Sequence, residues 1–163
     1  MKTEAATHRR LDEIDCRILE ELQRNSKLTN VELAAKVGLS ASPCLARVRE
    51  LERDGILRGY VALVSADALG LKINVFIQIT LEKQTEKALE IFESRIRAFP
   101  EVMECYLMTG DSDYLVRLVV PDVQALQDFI VQNLTTIPGV ANIRSSFALK
   151  QVTYKTALPL PSR

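Results

Sequence analysis

The chain has 163 residues, 47% of them hydrophobic, with 21 basic and 21 acidic side chains that cancel to a net charge of zero. This length fits one or two small domains with a real core, no apolar run approaches the ~18 residues of a membrane helix, and the polar start MKTEAATHRR lacks the apolar stretch of a signal peptide. Three cysteines (Cys16, Cys44, Cys105) without CxxC spacing point to a reduced, cytoplasmic compartment, and the single histidine, His8, leaves no material for a His-based metal site or a Ser-His-Asp triad, so neither metal nor cofactor is expected.

Residues 1–10 read as a flexible tail. Leu11, Ile14, Ile18 and Leu22 then form a helical stripe with Asp12 as N-cap. A second, shorter helix starts at Thr29, which stands at capping-box spacing from Glu32. Its inner face is Leu33, Ala34 and Val37, and Gly38 sits where a left-handed residue ends a helix. Ser40 or Ser42 can cap a third helix, with Pro43 tolerated in its first turn. In that helix Cys44, Val48 and Leu51 face inward. At 100° per residue, Ser42, Ala46, Arg49, Glu50 and Arg53 face away, with Arg47 on the flank. Residues 55–63 (GILRGYVAL) begin with a helix-stopping glycine and turn β-rich, as a short wing would. Three helices and a wing make a helix-turn-helix whose last helix can enter a major groove.

Charge moderates that reading. Residues 1–65 carry 11 basic and 10 acidic side chains, and only 36–58, with five against three, is locally basic. A single subunit should bind DNA modestly, so useful affinity requires several subunits on one duplex.

After a linker at 65–72 the pattern changes to strand 75–81, helix 85–99, strand 102–109, strand 114–120, helix 122–137 and strand 140–149. The halves align: Phe99-Pro100-Glu101-Val102 corresponds to Ile137-Pro138-Gly139-Val140, and Val75, Ile77, Ile79 and Leu81 to Tyr114, Val116, Leu118 and Val120. A duplicated βαβ unit of this size is a ferredoxin-like βαββαβ sandwich, with one antiparallel sheet and both helices on one face. The fold class is therefore α+β. The free face carries Phe76, Gln78, Thr80, Leu115, Arg117 and Val119, a mixture that suits a subunit interface. It has no pair of exposed aromatics in a basic setting, which argues against RNA.

The loop Thr109-Gly110-Asp111-Ser112-Asp113-Tyr114 joins the second and third strands. Gly110 leaves amides open to a carboxylate, Asp111 or Asp113 can accept from an amine, and the Tyr114 ring can cover an aliphatic side chain. From the chemistry alone, a polar turn is the stronger reading.

Four segments resemble the Lrp/AsnC family of transcriptional regulators: LDEIDCRILEELQ (11–23), TNVELAAKVGLSASPCLARVRELERDGIL (29–57), PEVMECYLMTGDSDYLVRL (100–118) and PGV…RSSFALKQVTYKTALPLP (138–161). The resemblance spans nearly the whole chain, and parts of it are similar to regulators of branched-chain amino acid or keto acid catabolism. It implies a winged helix-turn-helix over 11–64, an ACT-like ligand-binding and oligomerisation (RAM) domain over 73–157, a tail at 158–163, and dimers assembling into octamers on double-stranded DNA. Carried over, the DNA-contacting residues are Ser40, Ser42, Pro43, Ala46, Arg47, Arg49 and Arg53. The effector residues are Met108, Gly110, Asp111, Asp113 and Tyr114, with Ser146 and Phe147 opposite them across neighbouring dimers. The expected function is a non-enzymatic regulator whose DNA binding responds to a small amino acid. A ligand-independent DNA organiser of the same fold is the alternative. An amino-acid enzyme finds no nucleophile–base pair, cofactor loop or metal cluster in the sequence.

Overall fold

The computed structural model describes residues 10–161; the expected N-terminal tail lies, up to Arg9, outside the described residues. The chain divides into two compact units: residues up to Ala62 together with the segment from Thr153 onward, and Leu63–Val152.

In the first unit, α1 (Glu13–Arg24), α2 (Asn30–Val37) and α3 (Ala41–Arg53) begin and end where the local chemistry dictates. Asp12 and Asp15 form a reciprocal capping box on α1, and Thr29 and Glu32 do the same on α2. Gly38 ends α2 at φ 75°, a left-handed conformation costly for any residue with a Cβ. Its amide and that of Leu39 both fall back on the Ala34 carbonyl, which closes the tight turn into α3. Ile18, Leu19, Leu22, Leu33, Ala34, Val37, Cys44 and Leu51 make the core, with Val48, Ile56 and Leu57 packed against it.

The expected wing takes a different form. Residues 56–64 form no ladder among the described residues; Ile56 and Leu57 anchor their start in the core, and the Tyr60 hydroxyl donates to Glu52 on α3 at 3.0 Å. The C-terminal segment also belongs to this unit. The Gln23 side chain donates to the Leu158 carbonyl at 3.2 Å and accepts from the Leu158 amide at 2.6 Å, while Leu160 packs on the helical core.

The second unit holds β1 (Ile73–Leu81), α4 (Glu86–Ile96), β2 (Val102–Leu107), β3 (Tyr114–Val120), α5 (Val123–Phe129, continued by a π-helical turn to Leu134) and β4 (Val140–Phe147). The sheet order is β2-β3-β1-β4, with each neighbouring pair antiparallel. The two halves interleave, each placing its first strand at the centre, which is the ferredoxin-like arrangement. Alternation sends Val75, Ile77, Ile79, Leu81, Tyr114, Val116, Leu118 and Val120 to one face, where Phe92, Ile96, Leu126, Phe129, Leu134 and Ile137 cover them. On the other face Phe76, Thr80, Leu115, Arg117 and Val119 are half-buried and Gln78 is exposed.

Candidate DNA-reading helix and effector loop

Rotation about α3 sorts its side chains. Cys44 and Leu51 are buried, while Ser42, Pro43, Leu45, Ala46, Arg49 and Arg53 are exposed. Ser40 stands at the N-cap but its hydroxyl makes no capping bond. The Asn30 side chain, at the start of α2, donates to the Ala41 carbonyl at 2.7 Å and so ties the two helix starts together across the turn.

Of the three arginines, Arg53 pairs with its neighbour Asp54 at 3.3 Å and Arg49 extends from the open face. Arg47 is drawn aside: its Nη1 donates to Asp12 at 2.6 Å and to Asp15 at 2.9 Å, both on the first turn of α1. The Asp12 carboxyl is held below its usual range, first by the Asp15 amide it caps and then, against desolvation, by Arg47. The sequence reading missed Arg58, exposed in the segment after α3, and the Tyr60–Glu52 tie that holds this segment to the helix. Burial and then Glu52 push the Tyr60 hydroxyl up to about 12. A cleft of about 280 Å³ opens beside this tie, lined mainly by Leu22, Leu33, Leu45, Val48, Arg49 and Tyr60.

In the second unit the loop between β2 and β3 is folded by its own backbone. The Met108 amide donates to the Asp113 carbonyl at 2.8 Å, and Gly110 takes φ 120° at the bend. Asp113 is a buried staple: its Oδ2 accepts from the Leu81 amide at 2.6 Å, its Oδ1 accepts from the Gln84 side chain, and its amide donates to Ile79 at 2.9 Å. Both oxygens are thereby engaged at the end of β1. Tyr114, only 1% exposed, points into the core, with its ring 4.3 Å from that of Phe92 and its hydroxyl donating to Glu93 at 3.2 Å. Burial, and then Glu93, raise its pKa. Neither side chain is open to an incoming molecule as the sequence reading expected. Met108, Gly110 and Asp111 are exposed.

Ser146 and Phe147 lie elsewhere in the sheet. They pair with Phe76 and Val75 near the start of β1, whereas Tyr114 pairs with Ile79 near its end. At ~3.3 Å per residue along a strand and ~4.8 Å between strands, the loop and this pair stand roughly 15 Å apart within one chain.

A helix-turn-helix with an open, arginine-bearing third helix, in one chain with a ferredoxin-like unit that has an exposed loop, defines a DNA-binding regulator with a ligand-binding domain. Residues 11–58 match the winged helix-turn-helix DNA-binding family and residues 74–158 the Lrp/AsnC ligand binding domain. The chain is 48% identical over 150 residues to the Bkd operon transcriptional regulator of Pseudomonas aeruginosa, covering 92% of this chain and 98% of that one. It is 39% identical over 153 residues to the leucine-responsive regulatory protein of Escherichia coli K12, covering 94% and 93%. A transcriptional regulator of Neisseria meningitidis, solved as an L-Met complex, superposes with a TM-score of 0.87 at 41% identity over 92% of this chain and 97% of that one. The chain belongs to the Lrp/AsnC family, whose members are DNA-binding transcriptional regulators that respond to amino acids.

Proposed function

We propose that this chain is a cytoplasmic, non-enzymatic regulator that binds pseudo-palindromic DNA as a homo-oligomer, built from dimers up to an octamer, and that a small amino acid shifts its DNA affinity. The open face of α3, with Ser40, Ser42, Pro43, Ala46, Arg49 and Arg53, supplies DNA contacts, and Arg58 adds a phosphate contact. The effector sits against Met108, Gly110 and Asp111 of one copy and Ser146 and Phe147 of another. Asp113 and Tyr114 shape that loop from within. The observation that carries this reading is the ladder register, since a pocket using both groups needs a second copy. Such a pocket couples ligand to assembly, because a ligand bridging two copies binds one arrangement better than another.

The likeness to the leucine-responsive regulatory protein supports a branched-chain effector. Met108 and Phe147, 41% and 48% exposed, are suited to an aliphatic side chain. The test is a thermal-shift screen of the purified protein against the twenty amino acids, followed by sedimentation with the best hit. A selective rise in melting temperature, with a change in oligomer size, is the expected result. No shift with any amino acid, in protein that still binds DNA, overturns the effector assignment.

A further inference from the structure

Asp12 and Asp15 each divide their two oxygens between two tasks. Asp12 uses Oδ1 to cap the Asp15 amide at 2.8 Å and turns Oδ2 to Arg47; Asp15 accepts from the Asp12 amide through Oδ2 at 3.3 Å and turns Oδ1 to Arg47. The capping box of α1 therefore presents two fixed carboxylate oxygens to one guanidinium nitrogen. The Asp15 side chain is 1% exposed and that of Arg47 29%. A charge held this close to a buried carboxylate is costly to withdraw toward DNA. Along a helix, residues two apart point about 200° from each other, so a helix that turns Arg47 onto α1 turns Arg49 the opposite way. Ser42, Ala46 and Arg53 fall within about 60° of Arg49 on the same helical count.

We propose that Arg47 is a positioning residue for DNA recognition: docked on the Asp12–Asp15 box, it sets the rotation of α3 and so aims Ser42, Ala46 and Arg49 into the groove, without itself reading a base or a phosphate. This rests on α3 being the helix that reads DNA. A guanidinium suits the task because its planar, rigid donors fix direction as well as distance.

The test uses the full chain, a duplex recovered by in vitro selection with the wild-type protein, and a scrambled duplex of equal length. Asp12→Asn is the informative variant. Asparagine caps a helix as well as aspartate does, so α1 keeps its start and Arg47 loses one of the two carboxylates that face it. Arg47→Gln and Asp12→Asn should each lower the ratio of selected to scrambled affinity by about tenfold, and the double variant should lose no more than either single one. The scrambled affinity and the salt slope should stay at wild-type values, and Arg47→Lys should recover part of the ratio. A cooperative melt shows that each variant is folded, and a loss of stability alone does not change selectivity in folded protein. A salt slope reduced by about one in Arg47→Gln, the signature of a lost phosphate contact, overturns the proposal. So does a wild-type ratio in folded Asp12→Asn. Failure of the wild type to select any sequence would instead count against α3 as the reading helix, a separate outcome.

Discussion

At the scale of the residue, the loop between β2 and β3 divides its two aspartates between different duties. Asp113 satisfies a backbone amide at the end of β1, whereas Asp111 is exposed at the bend. Replacing Asp113 with alanine orphans the Leu81 amide and should cost about 1–3 kcal/mol of stability, read by denaturant unfolding of the ligand-free protein. Asp111→Ala should leave that stability within about 0.5 kcal/mol and instead weaken the thermal shift given by the effector. The sequence shows both carboxylates but not this split. Which of them meets the Leu81 amide depends on how β1 and β3 register, and that is set by packing between segments 32 residues apart in the chain. Tyr60 carries a pH signature. Its folded pKa, about 12, lies above the ordinary 10.0, so the neutral phenol is favoured by the fold. Its contribution is fully present below the unfolded value of 10.0 and is lost as pH rises toward 12. The stability advantage of wild type over Tyr60→Phe should therefore shrink across that window.

At the scale of the element, most of the helix-turn-helix is legible because its signals are local. The Thr29–Glu32 capping box, the left-handed Gly38 and the inward triad of Leu33, Ala34 and Val37 all act within one or two turns. Thr29→Ala removes the side-chain acceptor of the Glu32 amide and should destabilise the first unit by about 1 kcal/mol, measured by thermal melting. Arg47 shows the opposite case. Helical periodicity puts it on the flank of α3, but only the meeting of α3 with the first turn of α1 decides that it pairs with carboxylates. Strands and helices of the second unit are equally plain from alternation and from the internal duplication. The wing is where composition misleads: Ile56, Leu57, Tyr60 and Val61 read as strand, yet two of them are recruited as core plugs and one as a tether.

At the scale of the whole molecule, the return of the C-terminal segment to the first unit was not legible. Leu158 and Leu160 lie in a proline-punctuated stretch with no periodicity, and their partner, Gln23, is 135 residues earlier in the chain. Deleting the segment from Thr153 should lower the melting temperature of the first unit, because it strips two hydrogen bonds to Gln23 and the cover supplied by Leu160. Gln23→Ala should reproduce part of that loss. Equal melting of the shortened and full chains would show the clasp to be energetically idle.

That clasp also bears on synthesis. A ribosome releases the three helices first, but the unit they form includes residues 158–160, which emerge only after the entire sheet has been made. The first unit of a nascent chain therefore stays incomplete until residues 158–160 have been made, and a product truncated between the two units carries the helices without their last stay. Chains cut short before residue 158 should therefore hold their helices less firmly than finished ones, a dependence that a simple tandem order of domains would not impose.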